Sequence, residues 1–143
     1  MKKEEIELLI KDLRVRVPYR VKVCLDEKET CILMGINGGK VYLDVDTDSF
    51  CIESVKPYLR PMNSMTEEER SQYNIYIGYT EIHRQSICMD SDSQVNPNIG
   101  GYPYIFLASV SKYINWLLEH HFDYNGLIEK GLALEAPKGM YDD

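Results

Sequence analysis

No stretch of this 143-residue chain approaches the roughly 20 apolar residues needed to span a bilayer. The charges at its start, Met1-Lys2-Lys3-Glu4-Glu5, have no apolar segment behind them that would make a secretory leader. Cysteine is scarce: Cys24, Cys31, Cys51 and Cys88 form no C-x-x-C pair. An even count permits disulfides in a secreted protein, but without a leader the expectation is reduced thiols in a cytoplasmic one. Base is outnumbered by acid, 16 Lys and Arg against 23 Asp and Glu, for a formal net charge of −7. That disfavours general adhesion to nucleic acid or anionic membrane, because both reward an excess of cations. It leaves room for a local basic patch. The motifs G-x-S-x-G, H-E-x-x-H, G-x-G-x-x-G and the Walker-type loop are all missing. No cofactor, resident metal or catalytic residue is therefore expected, and the balance leans away from an enzyme.

What is present specifies shape. A domain of this length buries about 68–70% of its unfolded surface, enough for a real core. A single domain over 1–143 is expected, with a helix and β-meander in 1–62 and a mostly helical half in 63–143. The organising stretch is Thr30 to Val45, TCILMGINGGKVYLDV, which reads as a β-hairpin about Asn37-Gly38-Gly39. Asn-Gly and Gly-Gly both tolerate the two positive φ angles of a type I′ turn. Strict alternation puts Ile32, Met34 and Ile36 on one face with Val41, Leu43 and Val45. Gly38-Gly39 is not a phosphate loop, because a strand and not a helix comes after it.

Before the hairpin, Ile6, Leu9, Ile10 and Leu13 follow the spacing of an amphipathic helix over 4–13. Glu4 and Glu5 lie in its first turn and Lys11 in its last, as the helix dipole prefers. Pro18 forbids continuation. Tyr19 to Leu25 alternates as a strand, with Tyr19, Val21, Val23 and Leu25 on one face and Arg20, Lys22 and Cys24 on the other. After the hairpin, Phe50 to Val55 reads as a fourth strand. Pro57 and Pro61 mark the segment 56–62 as a 3₁₀ turn or an edge. The fold class expected is α+β: an N-terminal helix, a small antiparallel meander or Src-homology-3-like barrel, and C-terminal helices packed on it.

Thr66 and Glu69 have capping-box spacing, opening a helix to about Tyr73 or Ile77. Asp90 to Gly101 is turn and loop chemistry, expected to be exposed. Tyr102 to Leu107 reads as a last strand, and Ser109 as the cap of a helix to about His121. Asp123 is expected to cap a short helix with Phe122 and Leu127 as a hydrophobic staple. Gly131 fits its left-handed C′ position.

Two groups of side chains are candidates for binding. Lys11, Arg14, Arg16, Arg20 and Lys22 set five basic residues against the single acid Asp12, a pattern suited to phosphate or nucleic acid; Arg16, Arg20 and Lys22 are its centre. Eleven tyrosines, with Tyr76, Tyr79, Tyr102 and Tyr104 flanking the least readable region, suit a protein partner, since tyrosine buries area at low entropy cost. A third candidate is a metal-dependent hydrolase through His83, His120 and His121. Neighbouring helical residues point about 100° apart, so His120 and His121 do not converge as an i, i+4 pair would. Asp44, Asp46 and Asp48 read as a solvated acidic face, since the Gly and distal Glu of a calcium loop do not fit.

The stretches VKPYLRPMNSMTEEE (Val55–Glu69) and HHFDYNGLIEKGLALEAPKGMY (His120–Tyr141) resemble a group of small uncharacterised proteins of gut anaerobic bacteria, their prophages and their phages. The resemblance carries no activity, cofactor or site residue. It implies an intracellular accessory protein of a mobile element. The leading expectation is a non-enzymatic module that binds a protein partner. The alternatives are a nucleic-acid or nucleotide-phosphate binder through 11–22 and the histidine hydrolase.

Overall fold

The computed structural model describes residues 1–45, 48–75 and 101–142. Tyr76, Tyr79, His83, Cys88 and Asp46 lie outside them, as does the expected 90–101 loop except for Gly101. The architecture is α+β: an N-terminal helix, a six-stranded, mostly antiparallel sheet and further helices. The residues group into two units, Met1–Ser64 with Leu118–Asp143, and Met65–Leu117.

In the first unit, α1 (Lys3–Arg16) runs a turn longer than the apolar spacing suggests. Its added turn ends in Arg16, which reaches back to Asp12 at i−4. A 3₁₀ turn over Val17–Tyr19, with Pro18 near its start, leads into β1 (Lys22–Leu25). The segment 19–21, expected as strand, is therefore part turn. Leu9 and Leu13 of α1 are fully buried against the sheet, in one core with Val21, Val23 and Leu25.

β2 (Glu29–Asn37) and β3 (Lys40–Leu43) form the expected hairpin, with Asn37 opposite Lys40 and Gly38-Gly39 as its loop. Two details differ from expectation. Gly38 alone has positive φ, at 60°, which is the sign pattern of a type II′ turn and not of type I′. The register also slips between Leu33 and Gly35, where a bulge adds a residue to β2. The bulge reverses the faces of the outer half of β2. Cys31 and Leu33 are buried and Met34 is 55% exposed, whereas strict alternation places Ile32 and Met34 inside. Leu43 and Val41 face inward as expected, while Val45 is exposed.

β4 (Ser49–Cys51) is shorter than expected and is followed by a 3₁₀ turn over Ile52–Ser54. β5 (Val55–Leu59) then pairs with β1, and β6 (Leu134–Glu135) pairs with β5 in parallel. The strand order is β4-β3-β2-β1-β5-β6, so β4 and β6 end the sheet. Pro57 sits in β5, whose outer edge is covered by β6 only at Tyr58 and Leu59. Between Phe122 and β6 the chain makes turns and not the expected short helix. The Asp123 carboxylate accepts from Leu127 N–H (2.8 Å) and Ile128 N–H (2.9 Å). Gly131, at φ 75°, closes the segment with the paired hydrogen bonds of a Schellman motif, Leu132 N–H to Leu127 O and Gly131 N–H to Ile128 O.

The second unit holds α2, helical over 67–75, and most of α3 (Gly101–Glu119). The capping box opens α2: Thr66 N–H donates to Glu69 Oε1 (3.0 Å), and Glu69 N–H to Thr66 Oγ1 (3.1 Å). Residues 102–107, expected as a strand, begin α3 instead, and Ser109 lies inside it. A short apolar run does not distinguish strand from buried helix, and Pro103 is tolerated in a first turn, where its missing N–H has no intrahelical partner. Trp116 donates from Nε1 to Gln72 Oε1 (3.0 Å), and the Tyr73 and Tyr113 hydroxyls meet at 3.2 Å.

Candidate functional site

Of the five basic residues in 11–22, the structure brings two together. Arg20 ends the 3₁₀ turn in the left-handed region (φ 54°), its N–H donating to Val17 O at 3.2 Å. Lys22 opens β1. Both line a cleft of about 470 Å³ with Tyr19, Ile32, His121 and Tyr141, and among the described residues no acid stands in its wall. Arg20 is exposed, and among the described residues its guanidinium has neither a hydrogen-bond nor an ion-pair partner.

Arg16 does not belong to this patch. Its side chain is fully buried, bound through Nε to Asp12 Oδ2 (2.6 Å) and through Nη2 to Asp12 Oδ1 (3.2 Å) and Phe122 O (2.8 Å). Its guanidinium also lies over the Tyr124 ring, 5.4 Å from the centroid. The single acid that reads as a minor offset in the basic run is its buried counter-ion. Asn125 Nδ2 donates to the same carboxylate at 2.7 Å.

His121 enters the cleft from the other end of the chain. It follows α3, where the helix stops in a left-handed residue (φ 61°) whose N–H donates to Leu118 O. Its carbonyl accepts from Arg60 N–H at 2.8 Å. The ring stacks on Tyr141, with centroids 3.7 Å apart and planes 17° from parallel. Tyr141 is fixed in turn: its hydroxyl accepts from Lys22 N–H (3.0 Å) and donates to Tyr58 O (2.7 Å). Lys22 Nζ donates to Met140 O at 2.7 Å and lies 5.5 Å from the Tyr141 centroid. One of the three ammonium protons is thus used within the chain.

The electrostatics keep both rings neutral. Burial, followed by the charges of Arg16, His120, Arg60 and Lys22, holds the His121 imidazole down at about 4. Burial pushes the Tyr141 phenol up to about 12 against the opposing pull of Lys22 and Arg16. His121 is only 8% exposed, and its Nδ1 has no hydrogen-bond partner. A buried polar atom left unpaired costs about 1–3 kcal/mol, so it calls for an explanation.

Comparison with protein-family models, curated proteins and solved structures finds no match to this chain.

Arg20 and His121 each occupy a left-handed position of the kind that ends a helix, where glycine or asparagine is preferred. An ordinary L-residue there costs roughly 1–2 kcal/mol. The other two non-glycine residues at positive φ among those described, Asp26 (51°) and Glu27 (62°), are the paired centres of a type I′ turn closed by Lys28 N–H to Leu25 O. They line a second cleft, of about 520 Å³, where Glu53 and Lys56 add charge of both signs.

The metal reading finds no constellation: no three His, Cys, Asp or Glu side chains converge among the described residues. His120 stacks on Phe122 and His121 on Tyr141, so the adjacent histidines engage different rings. Tyr102 and Tyr104 lie on α3, in a different unit from the cleft. Among the described residues no helix is long and apolar enough to cross a membrane. Sequence reasoning missed His121 and Tyr141 as neighbours of the basic pair. The one available signal was the persistence of aromatic and charged residues to Tyr141 in a tail that otherwise reads as a loose end.

Proposed function

We propose that this protein is a non-enzymatic binding module for a phosphate-bearing ligand, held at the cleft of Arg20 and Lys22. One observation carries the reading: among the described residues, two cations share a cleft without an acid in its wall, and one of them has no partner. Arginine and lysine in a partly enclosed site are the usual recognition groups for phosphate. The net charge of −7 argues for a small ligand, because a long polyanion would meet repulsion beyond the cleft. The resemblance to phage and prophage proteins supplies a setting: an accessory factor acting inside a host cell. The tyrosine-based reading falls on Tyr76 and Tyr79, which lie outside the described residues, and on Tyr102 and Tyr104 of α3.

Titration calorimetry of the full chain with inorganic phosphate and with AMP tests the proposal. Binding that weakens with added salt and falls about tenfold in Arg20→Ala and Lys22→Ala is expected, each variant losing one charge-assisted contact. Failure of both ligands to bind at low salt would remove the reading.

A further inference from the structure

Phosphate binding by Arg20 and Lys22 alone leaves His121, in the same cleft wall, without a role. We infer that His121 is the third phosphate-binding side chain of the cleft, and that the ligand is a terminal phosphate monoester. The inference rests on the proposed function and narrows its ligand class.

Three facts lead to it. His121 shares the cleft wall with Arg20 and Lys22. Its Nδ1 is buried and unpaired, as is Nη1 of the neighbouring Arg16, while Tyr141, Lys22 and Arg60 each have hydrogen-bond partners. It stands at a helix end where glycine or asparagine would fit the backbone more easily, and so does Arg20. Histidine is among the side chains that tolerate this region and arginine is not, so the placement of Arg20 beside His121 in one cleft is better explained by its side chain than by its backbone.

The chemistry selects the monoester. A terminal phosphate presents three free oxygens and up to two negative charges, whereas a diester presents two and one. Three donors from separate segments match the former. Among the described residues the groups that face His121 are cationic or neutral: Arg16 of α1, Lys22 of β1, Arg60 beyond β5, the adjacent His120, and the Tyr141 ring. An entering phosphate offsets those positive charges and favours the imidazolium, so the ring's titration midpoint rises when the ligand is bound. The imidazolium then donates a charge-assisted hydrogen bond.

The test follows the His121 ring signals by NMR against pH in the full chain, assigned with the variant His121→Asn. The ring is titrated free, with AMP as the monoester and with cyclic AMP as the diester. Asparagine suits the left-handed backbone, so the variant should fold while losing the titrating group. Saturating AMP should raise the His121 midpoint by more than about one pH unit, and cyclic AMP by less. AMP should bind about tenfold more tightly than cyclic AMP, and His121→Asn should reduce that ratio to about twofold. In Arg20→Gly, AMP affinity should fall about tenfold while the melting temperature holds or rises by about 2–4 °C. Equal binding of the two nucleotides, or a His121 midpoint unmoved by AMP, overturns the inference but leaves a phosphate-binding module standing. Arg20→Gly melting well below wild type overturns the argument from backbone cost. Absence of any binding overturns both proposals together.

Discussion

Arg16 and Asp12 form a buried ion pair one helical turn apart, with Nε 2.6 Å from Oδ2 and both side chains withdrawn from solvent. It ties α1 to the C-terminal segment, since Arg16 also donates to Phe122 O and Asn125 donates to Asp12. Removing one partner strands a charge in the core. Asp12→Ala should therefore cost about 3–5 kcal/mol. Replacing both, as Asp12→Leu with Arg16→Met, should cost less than the sum of the single changes. Denaturant unfolding of the four chains in a double-mutant cycle measures the coupling.

His121 gives the fold an acid-sensitive point. Its folded value of about 4 lies below the ordinary 6.5, so between these pH values the unfolded chain binds the proton and the folded chain does not. Stability then rises with pH across that window, and is lost as pH falls from 6.5 to 4. The displacement corresponds to about 3 kcal/mol when fully expressed. Urea midpoints at about pH 7 and about pH 4.5 should differ less in His121→Asn than in wild type.

Tyr141 holds the end of the chain to the sheet through one oxygen. Tyr141→Phe keeps the stack on His121 but leaves Lys22 N–H and Tyr58 O without this partner. A cost of about 1–3 kcal/mol is expected from the unpaired backbone groups. Amide exchange should quicken at Lys22, whose N–H loses its acceptor. Unchanged exchange there would mean that water replaces the hydroxyl without loss.

The parts of this fold that were legible in the sequence rest on local rules. The Asn37-Gly38-Gly39 turn, the apolar stripe of α1 and the Thr66–Glu69 box each need only residues a few positions apart. What was not legible depends on distant partners. Arg16 reads as one of five surface cations until Phe122 O and Asn125 are brought beside it. The cleft joins Arg20 and Lys22 to His121 and Tyr141 across most of the chain, and no spacing rule connects them. Tyr102 to Leu107 illustrates a different limit. Its apolar character suits a strand or a buried helix equally, and tertiary context decides.

The bulge in β2 is the sharpest case, and it yields a test. Unbroken alternation from Ile32 to Ile36 would bury Met34 and leave Leu33 outside. The structure does the reverse: Leu33 is 1% exposed and Met34 55%. The cause is the extra residue between Leu33 and Gly35, which shifts one half of the strand against the other without moving the turn. Gly35 lies beside the Tyr42 ring, where an added β-carbon would stand 3.9 Å from Cδ2, an ordinary contact that tolerates a small side chain. Leu33→Ala should then cost about 2–5 kcal/mol, the range for emptying a buried leucine site. Met34→Thr should change stability by no more than about 0.5 kcal/mol, as at most exposed positions. Thermal or urea unfolding of the two variants decides between the faces. A larger loss in Met34→Thr than in Leu33→Ala would restore simple alternation and remove the bulge.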